Sequence, residues 1–99
     1  MVPVVARKGR TGSMAEPKVT EDTLLGGRVR VRQPARGYRV NADTLLLAAA
    51  VEAPNGARLM EAGCGVGAAM LAVAARSENT RLLGVERDTN IAAIARENA

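Results

Sequence analysis

The feature that most constrains this chain is a glycine-rich heptapeptide, EAGCGVG at residues 61–67, which follows a short apolar run and precedes an alanine-rich segment. Glycines at this spacing allow positive φ angles and let a ligand approach bare backbone, while the start of a helix supplies unpaired amide donors. A second acid, Glu86, ends the next apolar run, nineteen residues after Gly67. An acid at about this distance can accept hydrogen bonds from both hydroxyls of a ribose. The pattern therefore predicts a site for an adenosine-containing cofactor.

The segments around the heptapeptide alternate between strand and helix patterns. The predicted elements are strands at 57–61 and 81–86 and helices at 44–52, at 68–76 and from Asp88 or Thr89 onward. Residues 41–43 supply capping side chains for the first helix, and we assign the cap to Asp43. A strand-helix-strand order implies a parallel sheet with a right-handed crossover. Two parallel strands do not complete such a sheet, so we expect a truncated α/β fold whose open sheet edge favours self-association.

A strand with a charged face precedes these elements. Val29 and Val31 alternate with arginines at 28–32, which is the period of a half-buried strand with the valines inward. Proline and glycine at 34–37 predict a turn, and residues 38–40 are expected to return as the second arm of a β-hairpin. The arginines have two interpretations: protection of the strand against edge-to-edge pairing, and contact with phosphates.

The charge of the chain is divided unevenly. The net charge is +4, but residues 1–40 carry nine Lys/Arg against three acids, and the remainder carries five against seven. Residues 1–19 lack apolar periodicity and are predicted to be a disordered basic tail, with Met14 as an alternative start, while residues 20–99 form the domain. A basic front suits a polyanion such as RNA, and a solvated tail is the alternative.

Composition excludes several classes of protein. The single cysteine, Cys64, cannot form an internal disulfide, and without histidine the chain offers no spacing typical of a metal cluster and no base for a cysteine nucleophile. No apolar run approaches the ~20 residues that span a bilayer, and no secretory signal is present. We therefore expect a cytoplasmic protein without metal, membrane contact or a catalytic residue of its own.

Glu61 distinguishes two classes of cofactor. Gly63, Gly65 and Ala68 also satisfy the dinucleotide pattern G-x-G-x-x-G/A, so NAD remains an alternative. A pyrophosphate beside Glu61 would be repelled by about 3 kcal/mol per charge at roughly 5 Å and an effective dielectric constant near 20. S-adenosylmethionine carries an ammonium and a sulfonium and no phosphate, so this acid favours it.

The heptapeptide resembles the acid-x-Gly-x-Gly-x-Gly signature of class I S-adenosylmethionine-dependent methyltransferases, and residues 82–86 resemble their ribose-binding strand. A narrower resemblance, to a bacterial group related to tRNA adenine-N6 methyltransferases, rests on LLGGR at 24–28, QP at 33–34, GYRV at 37–40, Asp43 and LLL at 45–47. Together these cover residues 20–99. The resemblance implies a Rossmann-like, seven-stranded sheet of which two strands are present, and a tRNA substrate. It assigns the cofactor to Glu61, Gly63, Gly65, Gly67 and Glu86, and it suggests that Asp43 lines the pocket.

The catalytic loop of that group, Asn-Pro-Pro-aromatic, is missing here, because the four prolines are never adjacent. That loop binds the target amine and stacks on the flipped base, so its absence predicts a fragment that is inactive alone. Two other functions stay open: part of an NAD(P)-dependent oxidoreductase, and a basic RNA-binding module without catalysis.

Overall fold

The computed structural model describes residues 18–37 and 39–99, together with the backbone of residues 4–6. These residues form a mixed α/β structure with two sheets and three helices. The elements in chain order are β1 (Val4–Ala6), β2 (Val19–Leu24), β3 (Val29–Pro34), α1 (Ala42–Ala50), β4 (Arg58–Ala62), α2 (Ala68–Arg76), β5 (Arg81–Glu86) and α3 (Thr89–Asn98). The predicted α/β class is confirmed, as is the order of a helix followed by β-α-β-α.

The parallel sheet has the strand order β1-β5-β4. Strands β4 and β5 are parallel and in a register that places Leu59 beside Leu82 and Glu61 beside Gly84. Leu82 of β5 is buried in the core, whereas Met60 of β4, on the other face of the sheet, is 66% exposed. Within the described residues, β4 forms one edge of this sheet, and the predicted self-association through an open edge stays a prediction.

Small side chains build the core. Its members are Ala48, Cys64, Ala69, Met70, Ala72, Val73, Leu82, Ala92 and Ala95. Because alanines bury little surface, the helices must approach the sheet closely, and Gly84 of β5 makes this approach achievable. A Cβ atom at Gly84 would lie 2.5 Å from Met70 Cε and 2.8 Å from Cys64 Sγ. The absence of a side chain there lets α2 and the heptapeptide lie directly on the strand.

Helix α1 begins two residues earlier than predicted, and its cap differs. The Asn41 side chain accepts hydrogen bonds from the N–H groups of Asp43 and Thr44, and the Thr44 side chain completes a capping box. The assignment of Asp43 as the cap is therefore wrong: Asp43 lies in the first turn, where a negative charge favours the helix dipole. The helix ends at Ala50, and Arg76 donates to the carbonyls of Ala48 and Val51 at this end.

A β-hairpin forms, but β3 pairs with a different segment from the predicted one. Strand β3 pairs with the preceding β2 through a turn that contains Gly26 and Gly27 at positive φ, and Val29 and Val31 are buried as predicted. The expectation that residues 38–40 form the second arm is wrong for Arg39 and Val40, which are not in a strand, while Tyr38 lies outside the described residues.

Side-chain hydrogen bonds explain why that segment does not return as a strand. Arg39 donates to the carbonyl of Pro34 and to the side chains of Thr20 and Asp22, and the Val40 N–H donates to the Gln33 side chain. The chain is thus held across the end of the hairpin by polar contacts and does not extend along β3.

Part of the predicted disordered tail is a strand. Val4–Ala6 pair in parallel with β5, with Val4 opposite Gly84 and Ala6 opposite Glu86. For these three residues the prediction of disorder is wrong, because the second edge of β5 offers unpaired backbone groups that a short segment can satisfy. The other residues of 1–17 lie outside the described part, and ordered structure continues from Lys18 into β2.

Candidate ligand-binding site at the glycine loop

The glycine loop, residues 63–67, joins the carboxyl end of β4 to the amino end of α2. Gly63, Gly65 and Gly67 have φ angles of 74°, 57° and 89°. Because L side chains rarely adopt this region, each position requires glycine. The loop lies next to Glu86 at the end of β5, so the structure brings together the two strand ends from which the sequence predicted a site.

Backbone hydrogen bonds fix the loop. The Val85 carbonyl accepts from the N–H groups of Gly63 at 2.7 Å and Cys64 at 3.0 Å, and the Cys64 carbonyl accepts from Gly67 at 2.9 Å. The Gly65 N–H donates to Glu86 Oε1 at 3.0 Å. Four amides of the loop are thus committed to the protein, and the loop has a defined shape.

Four other amides at the same place have no partner among the described residues: those of Val66, Ala68, Ala69 and Met70. Helix α2 begins after Gly67, which has no side chain to cap it. The amino end of a helix carries a partial positive charge, and unpaired N–H groups there favour an anionic or carbonyl oxygen. This end of α2 can therefore receive an acceptor group of a ligand.

Glu86 has two structural contacts and remaining capacity. Its Oε1 accepts from Gly65, and its Oε2 accepts from the Asp88 N–H at 2.8 Å. An ionised carboxylate offers about four lone-pair sites, so two remain for a ligand. Asp88 is occupied elsewhere, because its side chain caps α3 by accepting from Asn90 and Ile91. Of Glu86 and Asp88, only Glu86 therefore has its carboxylate at the loop.

Glu61 differs from Glu86 in having no partner. The residue is half-buried, and its Oε1 is fully buried without a hydrogen-bond partner in the described part of the chain. Loss of solvent raises the pKa of Glu61. Glu61 lines a cavity of about 190 Å³ whose other lining residues are apolar. They are Leu47, Ala48, Val51, Leu59, Met60, Ala69, Met70, Val73 and Leu82. A buried carboxyl without a partner is costly, so a cationic or hydrogen-bond-donating group at this position would stabilise it.

The thiol of Cys64, in the glycine loop, is affected by the charges of Glu61 and Glu86. Burial, and then the charges of Glu61 and Glu86, raise the pKa of its thiol to about 11. The thiol therefore stays protonated at neutral pH and is a poor nucleophile.

The chain matches no protein-family model and no curated protein. Among the described residues, no helix is long and apolar enough to cross a membrane, and no group of three or more His, Cys, Asp or Glu side chains could hold a metal ion. The site must therefore be interpreted from its own chemistry.

Asn98 contributes to the loop although the sequence analysis did not single it out. Its Nδ2 donates to the Val66 carbonyl at 2.8 Å, across 32 residues of sequence. A contact between one side chain and a distant carbonyl leaves no periodic signal. Asp43, which the resemblance suggested as a pocket residue, is exposed in the first turn of α1.

Several arginines of the basic front are bound to the protein itself. Arg28 donates to the Ala75 carbonyl, Arg32 forms an ion pair with Glu97 at 2.9 Å, and Arg39 forms one with Asp22 at 3.2 Å. Other arginines make no such contact within residues 18–37 and 39–99, and those are Arg30, Arg36, Arg58, Arg81, Arg87 and Arg96. Among the arginines that the structure describes, this second group is available for an external polyanion.

Proposed function

We propose that this chain binds S-adenosylmethionine at the glycine loop and forms the cofactor-binding part of a class I, Rossmann-like methyltransferase that acts on RNA. The observation that carries the proposal is the half-buried carboxyl of Glu61, whose Oε1 is buried without a partner among the described residues, two positions before a loop with free amide donors. A ligand that fits must bring a positive group to the acid and an acceptor to the amides. The methionine part of this cofactor has both, as an ammonium and a carboxylate.

The remaining groups are consistent with the adenosine part. Glu86 keeps lone pairs for two ribose hydroxyls while it holds Gly65 and Asp88. The parallel β4-α2-β5 unit places this acid beside the loop, as in nucleotide-binding α/β folds generally. When bound, the cofactor supplies an electrophilic methyl group on its sulfonium. The described residues would bind and orient it, and none of them is assigned a catalytic role toward a methyl acceptor.

A dinucleotide is the second candidate, because the free amides at the start of α2 would equally suit a pyrophosphate. Calorimetry with S-adenosylhomocysteine and with NAD⁺ separates the two. We expect the sulfur nucleoside to bind more tightly, and tighter binding of NAD⁺ would refute the proposal.

Two substitutions locate the ligand. Glu86→Ala should weaken S-adenosylhomocysteine binding by about tenfold or more, since hydrogen bonds to a charged group contribute roughly 1.5–3 kcal/mol. Glu61→Gln should weaken it and at the same time improve NAD⁺ binding, because the repulsion of phosphate is removed. Glu78→Gln is the matched control, since Glu78 is an exposed acid in the turn before β5. Unchanged affinity in Glu86→Ala would exclude the site.

The proposal of an RNA substrate is based on the arginines that have no partner among the described residues. Filter binding of tRNA at several salt concentrations should give an affinity that falls steeply with salt. Replacing Arg30 and Arg36 by alanine should reduce the salt slope, whereas Glu86→Ala should leave RNA binding unchanged. RNA binding without any binding of S-adenosylhomocysteine would instead indicate a basic RNA-binding module. A salt-independent affinity would contradict the RNA assignment altogether.

A further inference from the structure

Asn98, in the last turn of α3, makes three hydrogen bonds with its side-chain amide. Nδ2 donates to the carbonyls of Val66 at 2.8 Å and Arg32 at 2.9 Å, and Oδ1 accepts from the Arg32 N–H at 2.8 Å. An asparagine amide has two N–H donors and an oxygen with two lone pairs. Both donors and one lone pair are therefore in use, and the side chain connects the glycine loop to β3.

The contact with Val66 acts on a peptide of the loop that is flanked by glycines. Val66 lies between Gly65 and Gly67, which both have positive φ. Glycine offers little resistance to rotation, so the peptide between residues 66 and 67 needs other restraints. Its N–H, on Gly67, donates to the Cys64 carbonyl, and its C=O accepts from Asn98. If this peptide turned over, the Val66 carbonyl could compete with a ligand for the free amides at the start of α2.

The contact with Arg32 joins the loop to the hairpin. Asn98 pairs with both the N–H and the C=O of Arg32, as a neighbouring strand would. Glu97, one residue earlier, forms an ion pair with the Arg32 side chain. The same end of α3 thus holds the hairpin twice, but only Asn98 also reaches the glycine loop.

We propose that Asn98 is a positioning residue of the glycine loop, which holds the Val66 carbonyl away from the ligand and couples the loop to the hairpin β2–β3. The identity of the ligand used to test this rests on the proposed function, but the control of loop conformation does not. Asparagine is required: aspartate of the same shape lacks both donors, and alanine lacks every contact.

The test compares Asn98→Asp and Asn98→Ala with Glu97→Gln. The last variant weakens the ion pair at the same junction without touching Val66, so it is the matched control. Calorimetry with S-adenosylhomocysteine should show about five- to tenfold weaker binding for both Asn98 variants, which is the loss of roughly one hydrogen bond. Hydrogen exchange at the Gly67 amide should become faster in both. Glu97→Gln should leave both measurements near wild type.

Two results would overturn the proposal. One is wild-type exchange at Gly67 and wild-type affinity in Asn98→Asp. The other is an equal change in Asn98→Asp and Glu97→Gln, which would show that Asn98 only docks the hairpin. If wild-type chain does not bind S-adenosylhomocysteine, the proposed function fails, while the exchange measurement still decides the role of Asn98.

A measurement on the wild-type chain guards against variants that do not fold. Because both Nδ2 protons of Asn98 are donated to carbonyls, their signals in an amide NMR spectrum should exchange with water more slowly than those of the exposed Asn55. Equal exchange rates for the two side chains would contradict the proposed contacts directly.

Discussion

Gly84→Ala tests whether the glycine loop lies on β5 as closely as the structure shows. The new Cβ would meet Met70 Cε at 2.5 Å, Cys64 Sγ at 2.8 Å and Cys64 Cβ at 3.2 Å. Met70 Cε is the end of a flexible side chain and can move at little cost. Cys64 cannot move freely, because its N–H is bonded to the Val85 carbonyl and its C=O to Gly67. The contact with Cys64 should therefore set most of the cost.

Two opposing contributions give the magnitude. Overpacking of a filled core costs about 1–3 kcal/mol, and replacing glycine by alanine at a backbone conformation that alanine accepts returns about 0.4–1 kcal/mol through the unfolded state. We expect a net loss in the free energy of unfolding of about 0.5–2 kcal/mol. For a domain of this size, that lowers the melting temperature by roughly 2–16 °C.

A double-mutant cycle in urea tests the cause. Cys64→Ala removes Sγ, so Gly84→Ala should cost clearly less in that background, with a coupling of about 0.5 kcal/mol or more. Cys64→Ala alone provides the reference. If Gly84→Ala stabilises the chain, or costs the same with and without the thiol, the close approach of the loop to β5 is refuted.

Three further predictions concern polar groups. Glu61→Gln should raise the melting temperature at about pH 7 and lose this gain near pH 4. Burial raises the Glu61 pKa, so the wild-type chain is fully stable while Glu61 is neutral at low pH. It loses stability as the pH rises through the folded-state pKa and Glu61 ionises. An equal gain at both pH values would contradict this. Hydrogen bonds from Gln33 and Thr20, with Arg39, lower the Asp22 pKa, so its contribution should be lost as pH falls through its folded-state pKa. In an acid titration, Asp22→Asn should lose less free energy of unfolding than the wild type as the pH falls. An equal loss in both chains would contradict this prediction. Asn41→Ala should cost about 1 kcal/mol in urea unfolding, because α1 loses its capping side chain. A cost near zero would show that the cap is dispensable.

The elements that flank the glycine loop could be predicted from the sequence. Helix α2 and strand β5 have the predicted bounds, and β4 is shifted by one residue, because glycines and short turns mark where each element begins and ends. Asp88 was one of two predicted caps for α3, and its side chain does accept from Asn90 and Ile91. Local signals were sufficient here, since each depends on neighbours in the chain.

Strand β2 could not be predicted, because its inward side is partly polar. Asp22 lies opposite the buried Val31 and accepts hydrogen bonds from Thr20, Gln33 and Arg39. Gln33 is only 4% exposed. Hydrophobic alternation identifies a strand by its apolar face, and it fails where hydrogen bonds between distant residues replace apolar contacts.

The residues of the candidate site were predictable, but their mutual contacts were not. Glu61 and Glu86 were chosen because they end consecutive strands, and parallel strands bring such ends to one edge. That Glu86 would hold the Gly65 amide, or that Asn98 would hold Val66, depends on side-chain conformations over 21 and 32 residues of separation. Spacing in the sequence carries no information about such contacts.

The residues that set the shape of the glycine loop and the nearby acid Glu61 should therefore respond differently to substitution. Gly84, Glu86 and Asn98 set the shape of the loop, and a preformed arrangement of donors spares the ligand the cost of ordering them. Replacing Gly84 or Asn98 should weaken every ligand of the loop in similar proportion. Among the described residues, Glu61 bonds to no part of the loop and its Oε1 has no partner, so its replacement should alter the preference between cationic and phosphate-bearing ligands. The ratio of the two affinities, more than either affinity alone, thus separates the acid that selects the ligand from the residues that shape the site.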